Sequence, residues 1–201
     1  MTVTTGVSTV ALAVDTRARD LAAADHVVHL LGLPLAELAP ERPAYVATTH
    51  FVGADDRHVA VAASWTGELD TWQLSEALAM SFPYAAVLVA GHEATGDAEL
   101  AACVCTALDE HQSRRAGRLA RFPGQEAIER RTTVAEVLAA SCVDEVKGLV
   151  GTEIGPDSEL DLTGFVRPTW RDGHCTIVVQ QSVHGLVPFE GRDQIPCCAF
   201  H

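Results

Sequence analysis

The chain carries two strand-forming runs, AYVATTHFV and RHVAVAASW, on either side of the polar segment GADD, and any fold must pair them. Runs of this kind that are separated by a short polar turn predict an antiparallel β-hairpin. A second hairpin signal lies near the C-terminus, where Asp172-Gly173 separates PTWR from HCTIVVQQ. Pro168 places the first strand of that hairpin at a sheet edge or a bulge. Sheet structure is therefore expected in both halves of the chain.

Apolar residues recur at helical spacing between and around these hairpins, and polar or capping residues precede each series. The clearest start is Thr133, because Glu136 completes a capping-box pattern with it. We expect helices from Asp15 or Thr16 to Gly32, from Asp70 to Pro83, from Asp97 to Arg115, and from Thr133 to Gly151.

The run AAVLVA, residues 85–90, is uninterrupted and apolar, which predicts a central strand buried on both faces. The order of elements favours an α/β or α+β fold in which helices flank a mixed β-sheet and an antiparallel hairpin follows near the C-terminus. We expect one domain, 1–201, that can divide into an α/β subregion, 1–121, and a second subregion, 133–201. The segment RFPGQEAIERR would connect them.

The formal charge of −13 disfavours nucleic acid as a partner, because such a surface repels the phosphate backbone. The densest basic cluster includes Arg114, Arg118 and Arg121, whose spacing puts them on one side of a helix. We interpret this cluster as a solvated helix end that complements the helix dipole. The remaining candidate partners are a small molecule or another protein.

The N-terminus has an apolar run, Val7 to Val14, but no basic residue precedes it, so it does not resemble a signal peptide. No stretch reaches the roughly 18 consecutive apolar residues that a membrane-spanning helix needs. The six cysteines are too dispersed for a secreted disulfide framework. A soluble cytoplasmic protein with reduced thiols, and no membrane partner, is expected.

Four of the cysteines are expected on an apolar face of a helix or strand, or at the edge of one. Cys103 and Cys105 form a C-x-C pair that points in different directions on a helix, so Cys103 is expected in the core and Cys105 at the edge of the apolar stripe. Cys142 is expected on an apolar helix face, and Cys175 on the buried face of a strand. His174, next to Cys175, should then lie on the opposite face.

The C-terminal segment IPCCAFH has no such packing interpretation. Cys198 and His201 form a C-x-x-H pair, and Cys197 can add a second thiolate. His174 is the first candidate for a further ligand, and His184, Cys105 and His111 are alternatives. Thiolate ligands select zinc or another thiolate-preferring transition metal. The alternative is a loose chain end with incidental thiols.

A second candidate site is the loop GHEATGD, residues 91–97, which follows the buried run AAVLVA and precedes a helix. Ligands of open α/β sheets bind at this kind of position. His92 and Glu93 supply titratable groups, and we assign them as candidate catalytic residues. A polar surface loop with a helix cap is the alternative.

Three functions are compatible with these features. The first is a small transition-metal-binding protein that uses the Cys-Cys-x-x-His tail. The second is a non-catalytic binding or accessory module whose acidic surface and sheet edge contact a protein partner. The third is a metal-free enzyme in which His92 is the general base and Glu93 or Asp97 orients it. The sequence contains no nucleophile elbow, phosphate-binding loop or zinc-protease motif.

Overall fold

The computed structural model describes residues 9–38, 45–67, 69–183 and 185–191. The predictions for Cys197, Cys198, His201 and His184 lie outside these residues. Contacts within the chain separate two compact units, Met1–Phe122 and Pro123–His201, hereafter unit 1 and unit 2. The division falls inside the segment RFPGQEAIERR.

Unit 1 contains an antiparallel sheet of strands β1 Thr9–Ala18, β2 Tyr45–Val52, β3 His58–Thr66, β4 Ala86–Val89 and β5 Ala116–Arg121. Their order in the sheet is β4-β1-β3-β2-β5. The predicted hairpin around GADD is confirmed, since β2 and β3 pair from one end to the other. The run AAVLVA does form a strand that is buried on both faces, but in unit 1 this strand lies at the edge of the sheet rather than at its centre.

Helices cover both faces of this sheet, which explains why an edge strand can be fully apolar. The helices are α1 Leu21–Leu38, α2 Thr71–Ser81 and α3 Ala98–Ser113. Alternate residues of the strands belong to different core clusters: Leu12 and Val61 pack with α1 and α2, whereas Ala13 and Ala62 pack with α3. The alternation results from the two-residue period of a strand.

Helix α1 begins and ends later than the sequence predicts. The two predicted caps, Asp15 and Thr16, both belong to β1, and the side chain of Asp20 accepts the backbone N–H of Ala23 instead. The helix continues through Pro34 because Pro34 and Leu35 are buried, so packing outweighs the lost backbone hydrogen bond. By length and composition alone α1 is also apolar enough to cross a membrane, but its buried residues join the core of unit 1, which is consistent with a soluble protein.

The basic cluster is not a helix face. Helix α3 has its C-cap at Arg114, which is in the left-handed conformation, and the chain then enters β5. Arg118 on β5 is 8% exposed and forms a two-pronged ion pair with Asp25 of α1. Arg121 stacks on the ring of Tyr45. These two arginines therefore fasten β5 to its neighbours, and the prediction of a solvated helix end is wrong for them.

Unit 2 is built around β10, which pairs in antiparallel fashion with β9 and β11 and in parallel with β7. Together with the parallel pair β11–β8, this confirms the predicted mixed sheet with flanking helices, an α+β fold. The Asp172-Gly173 hairpin is confirmed, with both residues at positive φ. The elements are α4 Gln125–Ile128, β6 Arg131–Thr133, α5 Val134–Ala140, β7 Glu145–Gly148, β8 Glu159–Asp161, β9 Thr169–Arg171, β10 His174–Ser182 and β11 Gly185–Pro188.

Helix α5 starts as predicted but is much shorter. Thr133 is its N-cap and forms the complete capping box with Glu136. The helix ends at Ala140, and the predicted later turns are replaced by β7, which places Val146 in the sheet. Cys142 is consequently not on a helix face, and it is only partly buried. Parallel pairing with β10, rather than the helical spacing of apolar residues, determines the structure of this segment. That pairing is not visible in the local sequence.

Candidate metal centre

The centre begins with an irregularity in β1. The pairing of β1 with β3 shifts register between Val14 and Ala18, and Arg17 in this segment has a φ of 55°. Bulges of this kind redirect side chains and are frequent beside functional sites. Here Asp15 is fully buried, and its Oδ1 accepts the backbone N–H of Arg17 at 2.8 Å.

Asp15 faces His58, the first residue of β3. His58 Nε2 donates to Asp15 Oδ2 at 2.7 Å, and His58 Nδ1 donates to the backbone carbonyl oxygen of Asp56 at 2.5 Å. A carbonyl oxygen and a carboxylate both accept hydrogen bonds, which favours a proton on each ring nitrogen and hence the imidazolium form of His58. Burial lowers the pKa of His58, but the hydrogen bonds to Asp56 and Asp15 outweigh it, and the net pKa is raised.

Cys103 of α3 completes the centre. Its Sγ, a nitrogen of His58 and a carboxylate oxygen of Asp15 lie within 4.8 Å of one another, and all three residues are buried. Burial raises the pKa of the Cys103 thiol, and the negative charge of Asp15 raises it further. The backbone N–H of Gly53 donates to the sulfur and acts in the opposite direction. In this state Cys103 is a neutral thiol beside a carboxylate–imidazolium pair.

The turn between β2 and β3 is shaped to fit this centre. Gly53 has a φ of 79°, and a Cβ at this position would overlap the Asp56 carbonyl oxygen and lie 3.0 Å from the ring of His58. Glycine is the residue that accepts such a conformation and such close contact. The turn thus places two backbone groups on the centre: the Asp56 carbonyl on His58 and the Gly53 N–H on Cys103.

Charged side chains surround the outer side of the centre. The Arg17 guanidinium contacts Asp56 at 3.0 Å and Glu99 at 2.9 Å, and Arg19 also binds Asp56. Hydrogen bonding from Arg19 is the main cause that lowers the pKa of Asp56, with a further contribution from Arg17. These ion pairs connect β1, the β2–β3 turn and α3 around Asp15, His58 and Cys103.

A second buried polar cluster lies elsewhere in unit 1, between β2, β3 and α3. Glu110 Oε2 is 2.9 Å from His50 Nδ1, and His50 Nε2 is 2.7 Å from the Thr48 hydroxyl. The same hydroxyl is 2.6 Å from His111 Nδ1, and His111 Nε2 is 2.8 Å from Ser64 Oγ. The five side chains form one continuous chain of hydrogen bonds.

Both histidines of this chain are neutral. Burial is the largest cause that lowers the pKa of His50, against the effect of Glu110, and burial lowers the pKa of His111 to about 3. A carboxylate can only accept a hydrogen bond, so His50 Nδ1–H donates to Glu110. Each other group in the chain then donates to the next group on the side of Glu110. Ser64 donates to His111, His111 to Thr48, and Thr48 to His50. Thr48 and His50 resemble part of a nucleophilic triad, but Thr48 is fully buried and offers no access to a substrate.

The candidate catalytic residues His92 and Glu93 belong to neither cluster, whereas His111, an alternative metal ligand predicted from sequence, belongs to the second. His92 is half-buried in the predicted loop, where its Nε2 is 2.8 Å from the Thr71 hydroxyl and its ring lies beside Trp72. Glu93 is exposed and Asp97 caps α3, so Thr71 is the side chain seen to orient His92 within the described residues. His174 is exposed on β10, as expected, and Cys175 is buried beneath it.

Comparison with protein-family models, with curated proteins and with solved structures finds no match. The candidate centre therefore rests on its own geometry.

Sequence reasoning missed the partnership of Asp15, His58 and Cys103. Cys103 was correctly expected in the core and Cys105 outside it. The sequence pattern predicts Asp15 as a helix cap, but Asp15 ends an apolar run that forms β1. The available signal was an acid and a histidine, each at the end of an apolar strand segment, since buried ionisable residues require partners.

Proposed function

We propose that this protein binds a transition metal ion, with Zn²⁺ as the best fit, through Asp15, His58 and Cys103. The observation that carries the proposal is that one carboxylate oxygen, one imidazole nitrogen and one sulfur lie within 4.8 Å of one another in the core. This mixed O, N and S donor set suits Zn²⁺. Ligand atoms on a tetrahedral zinc are roughly 3–4 Å apart, so small side-chain shifts are sufficient.

The hydrogen bonds behind the three ligand atoms support the proposal. A histidine that binds a metal commonly donates its other N–H to a carbonyl or carboxylate, and ligating carboxylates are themselves hydrogen-bonded. His58 Nδ1 donates to Asp56, Asp15 Oδ1 accepts from Arg17, and Cys103 accepts from Gly53. Each ligand side chain is therefore already oriented by a hydrogen bond to a group outside the set of three ligands.

Metal binding would replace two protons, one on His58 Nε2 and one on Cys103 Sγ. Without a metal, Asp15 and His58 remain hydrogen-bonded to each other, so the carboxylate keeps a partner. A bound divalent cation favours the thiolate strongly enough to overcome burial. A reducing compartment such as the cytoplasm would keep the thiol available for this exchange.

The role that we propose for the ion is structural or regulatory rather than catalytic. Asp15 is fully buried, His58 is 1% exposed and Cys103 is 7% exposed, which leaves a substrate no direct approach to the ligands. The three ligands belong to β1, β3 and α3, so a bound ion would cross-link three elements of unit 1. Binding energy of this kind is added to the stability of the fold.

The experiment is a titration of reduced, chelator-treated protein with Co²⁺, a coloured substitute for Zn²⁺, followed by displacement with Zn²⁺. We expect a thiolate-to-cobalt charge-transfer band that saturates at about one equivalent. Cys103→Ser should abolish the band. Cys105→Ser is the matched control, because it changes an exposed thiol two positions away on the same helix.

A double variant, Cys197→Ser with Cys198→Ser, separates this centre from the tail predicted from sequence. The core centre requires that the double variant titrates like the wild-type protein and that Cys103→Ser does not. The opposite pattern would transfer the metal site to the tail. Absence of any thiolate band in the wild-type protein would reject metal binding by cysteine at either place.

A further inference from the structure

Unit 2 contains a cavity of about 340 Å³ on strands β7, β9 and β10. Along β10, Cys175, Ile177 and Val179 are buried on one face, while His174, Thr176 and Val178 line the cavity on the other. Its volume lies within the range of small-molecule sites, roughly 300–1,000 Å³. The cavity is remote in sequence from the proposed metal ligands, and ligand binding in it would not depend on them.

Four side chains that can form hydrogen bonds line this cavity. His174 is directly opposite Arg171, and Thr176 is directly opposite Thr169, as cross-strand neighbours of β9 and β10. Such neighbours have Cβ atoms roughly 4.5–5.5 Å apart. In the part of the chain that the structure describes, none of the four side chains makes a hydrogen bond or an ion pair. Thr176 is only 9% exposed, and the cavity is where its side chain meets solvent.

The charges around the cavity limit what it can bind. Lys147 is neutralised by Glu145, since their charged atoms are 2.9 Å apart. Asp172, which follows Arg171 in the hairpin turn, is a second acid in the lining. The lining thus holds two basic and two acidic side chains, so a monoanion meets less repulsion than a dianion such as a phosphate. Arginine binds a carboxylate through two parallel hydrogen bonds.

We propose that this cavity binds a small carboxylate, with Arg171 on the carboxylate and with His174, Thr169 and Thr176 supplying further hydrogen bonds. The acidic surface of the protein, with a formal charge of −13, makes non-specific attraction of anions weak, so binding would be local to this cavity. The carboxylate can belong to a free small molecule or to the C-terminus of a peptide.

The test is a titration of the full-length, ¹⁵N-labelled protein with acetate at constant ionic strength, followed by NMR. We expect saturable shifts at cavity residues, and we expect Arg171→Gln to weaken acetate binding by about tenfold or more, as for loss of a charge-assisted hydrogen bond. Thr176→Val should weaken it by a smaller factor. Arg57→Gln is the matched control, because it removes an exposed guanidinium from unit 1 and should leave the affinity unchanged.

Equal affinity of the wild-type protein and Arg171→Gln would overturn the proposal, as would shifts that do not saturate. Inorganic phosphate is the competing probe, and tighter binding of phosphate than of acetate would overturn the assignment to a carboxylate. A short peptide with a free C-terminus, compared with its amidated form, then identifies the source. Binding of the free form alone assigns the cavity to chain ends, and acetate binding with no gain from the peptide assigns it to free carboxylates.

Discussion

His58 Nε2 lies 2.7 Å from Asp15 Oδ2, in a part of unit 1 where both side chains are shielded from solvent. The pair is therefore held by charge and hydrogen bonding rather than by apolar packing. A buried pair is costly to form but even more costly to break, because the remaining charge has no partner. The stability of unit 1 in the absence of metal should depend on this contact.

Asp15→Asn should lower the free energy of unfolding by about 3–5 kcal/mol, the usual cost of removing one partner from a buried ion pair. The measurement is urea unfolding in the presence of chelator and reductant. Asp109→Asn is the control, since it breaks an exposed pair with Arg115 of similar length, 2.9 Å, and should change little. Similar losses in the two variants would mean that the Asp15–His58 pair does not support the fold.

Gly53→Ala should destabilise the protein more than Gly91→Ala does. Both glycines have positive φ, 79° and 91°, so both variants incur backbone strain. A Cβ at Gly53 also meets the Asp56 carbonyl and the His58 ring, whereas a Cβ at Gly91 meets no atom within 4 Å. The extra loss at Gly53 should be about 1–3 kcal/mol, as for overpacking. Equal unfolding free energies would contradict the tight fit of the turn around His58.

Much of the fold could be predicted because its signals are local. The GADD hairpin, the Asp172-Gly173 hairpin and the start of α5 at Thr133 each depend on a few adjacent residues. The errors arose where distant pairing decides. The segment after Ala140 has a helical pattern of apolar residues, yet pairing with β10 makes part of it a strand.

The candidate centre was harder to predict for the same reason. Its ligands come from positions 15, 58 and 103, and no spacing rule connects residues so far apart in sequence. Burial of Cys103 is expected from the periodicity of α3, but the contact with His58 depends on the bulge in β1 and the turn at Gly53. Local sequence placed each residue near the core without showing which residues would meet.

Thr48→Val should destabilise unit 1 more than Ser64→Ala. Valine keeps the shape of threonine but leaves His50 Nε2 and His111 Nδ1 without their shared hydroxyl. Ser64→Ala removes a partner from only one ring nitrogen, His111 Nε2. Each unsatisfied buried group costs about 1–3 kcal/mol, so the loss for Thr48→Val should be roughly twice that for Ser64→Ala in urea unfolding. A smaller loss for Thr48→Val would show that Thr48 is not the centre of this chain of hydrogen bonds.

His111 should make the protein less stable as the pH falls below about 6.5. Its pKa is lowered to about 3 in the folded protein, so between these values only the unfolded chain binds the proton. From pH 7 to about pH 5 this difference should cost about 2 kcal/mol, and the lowered pKa of His50 acts in the same direction. His58 acts in another range, because a raised pKa gives stability that is complete at low pH and is lost as the pH rises through the folded value.

The measurement combines urea unfolding at several pH values with NMR of the histidine rings. The His111 signal should stay at its neutral position between about pH 7 and about pH 5. In His111→Gln the dependence of stability on pH should become shallower across this range, because one buried neutral histidine has been removed. A His111 signal that moves to the protonated position by pH 5 would contradict the burial of this ring.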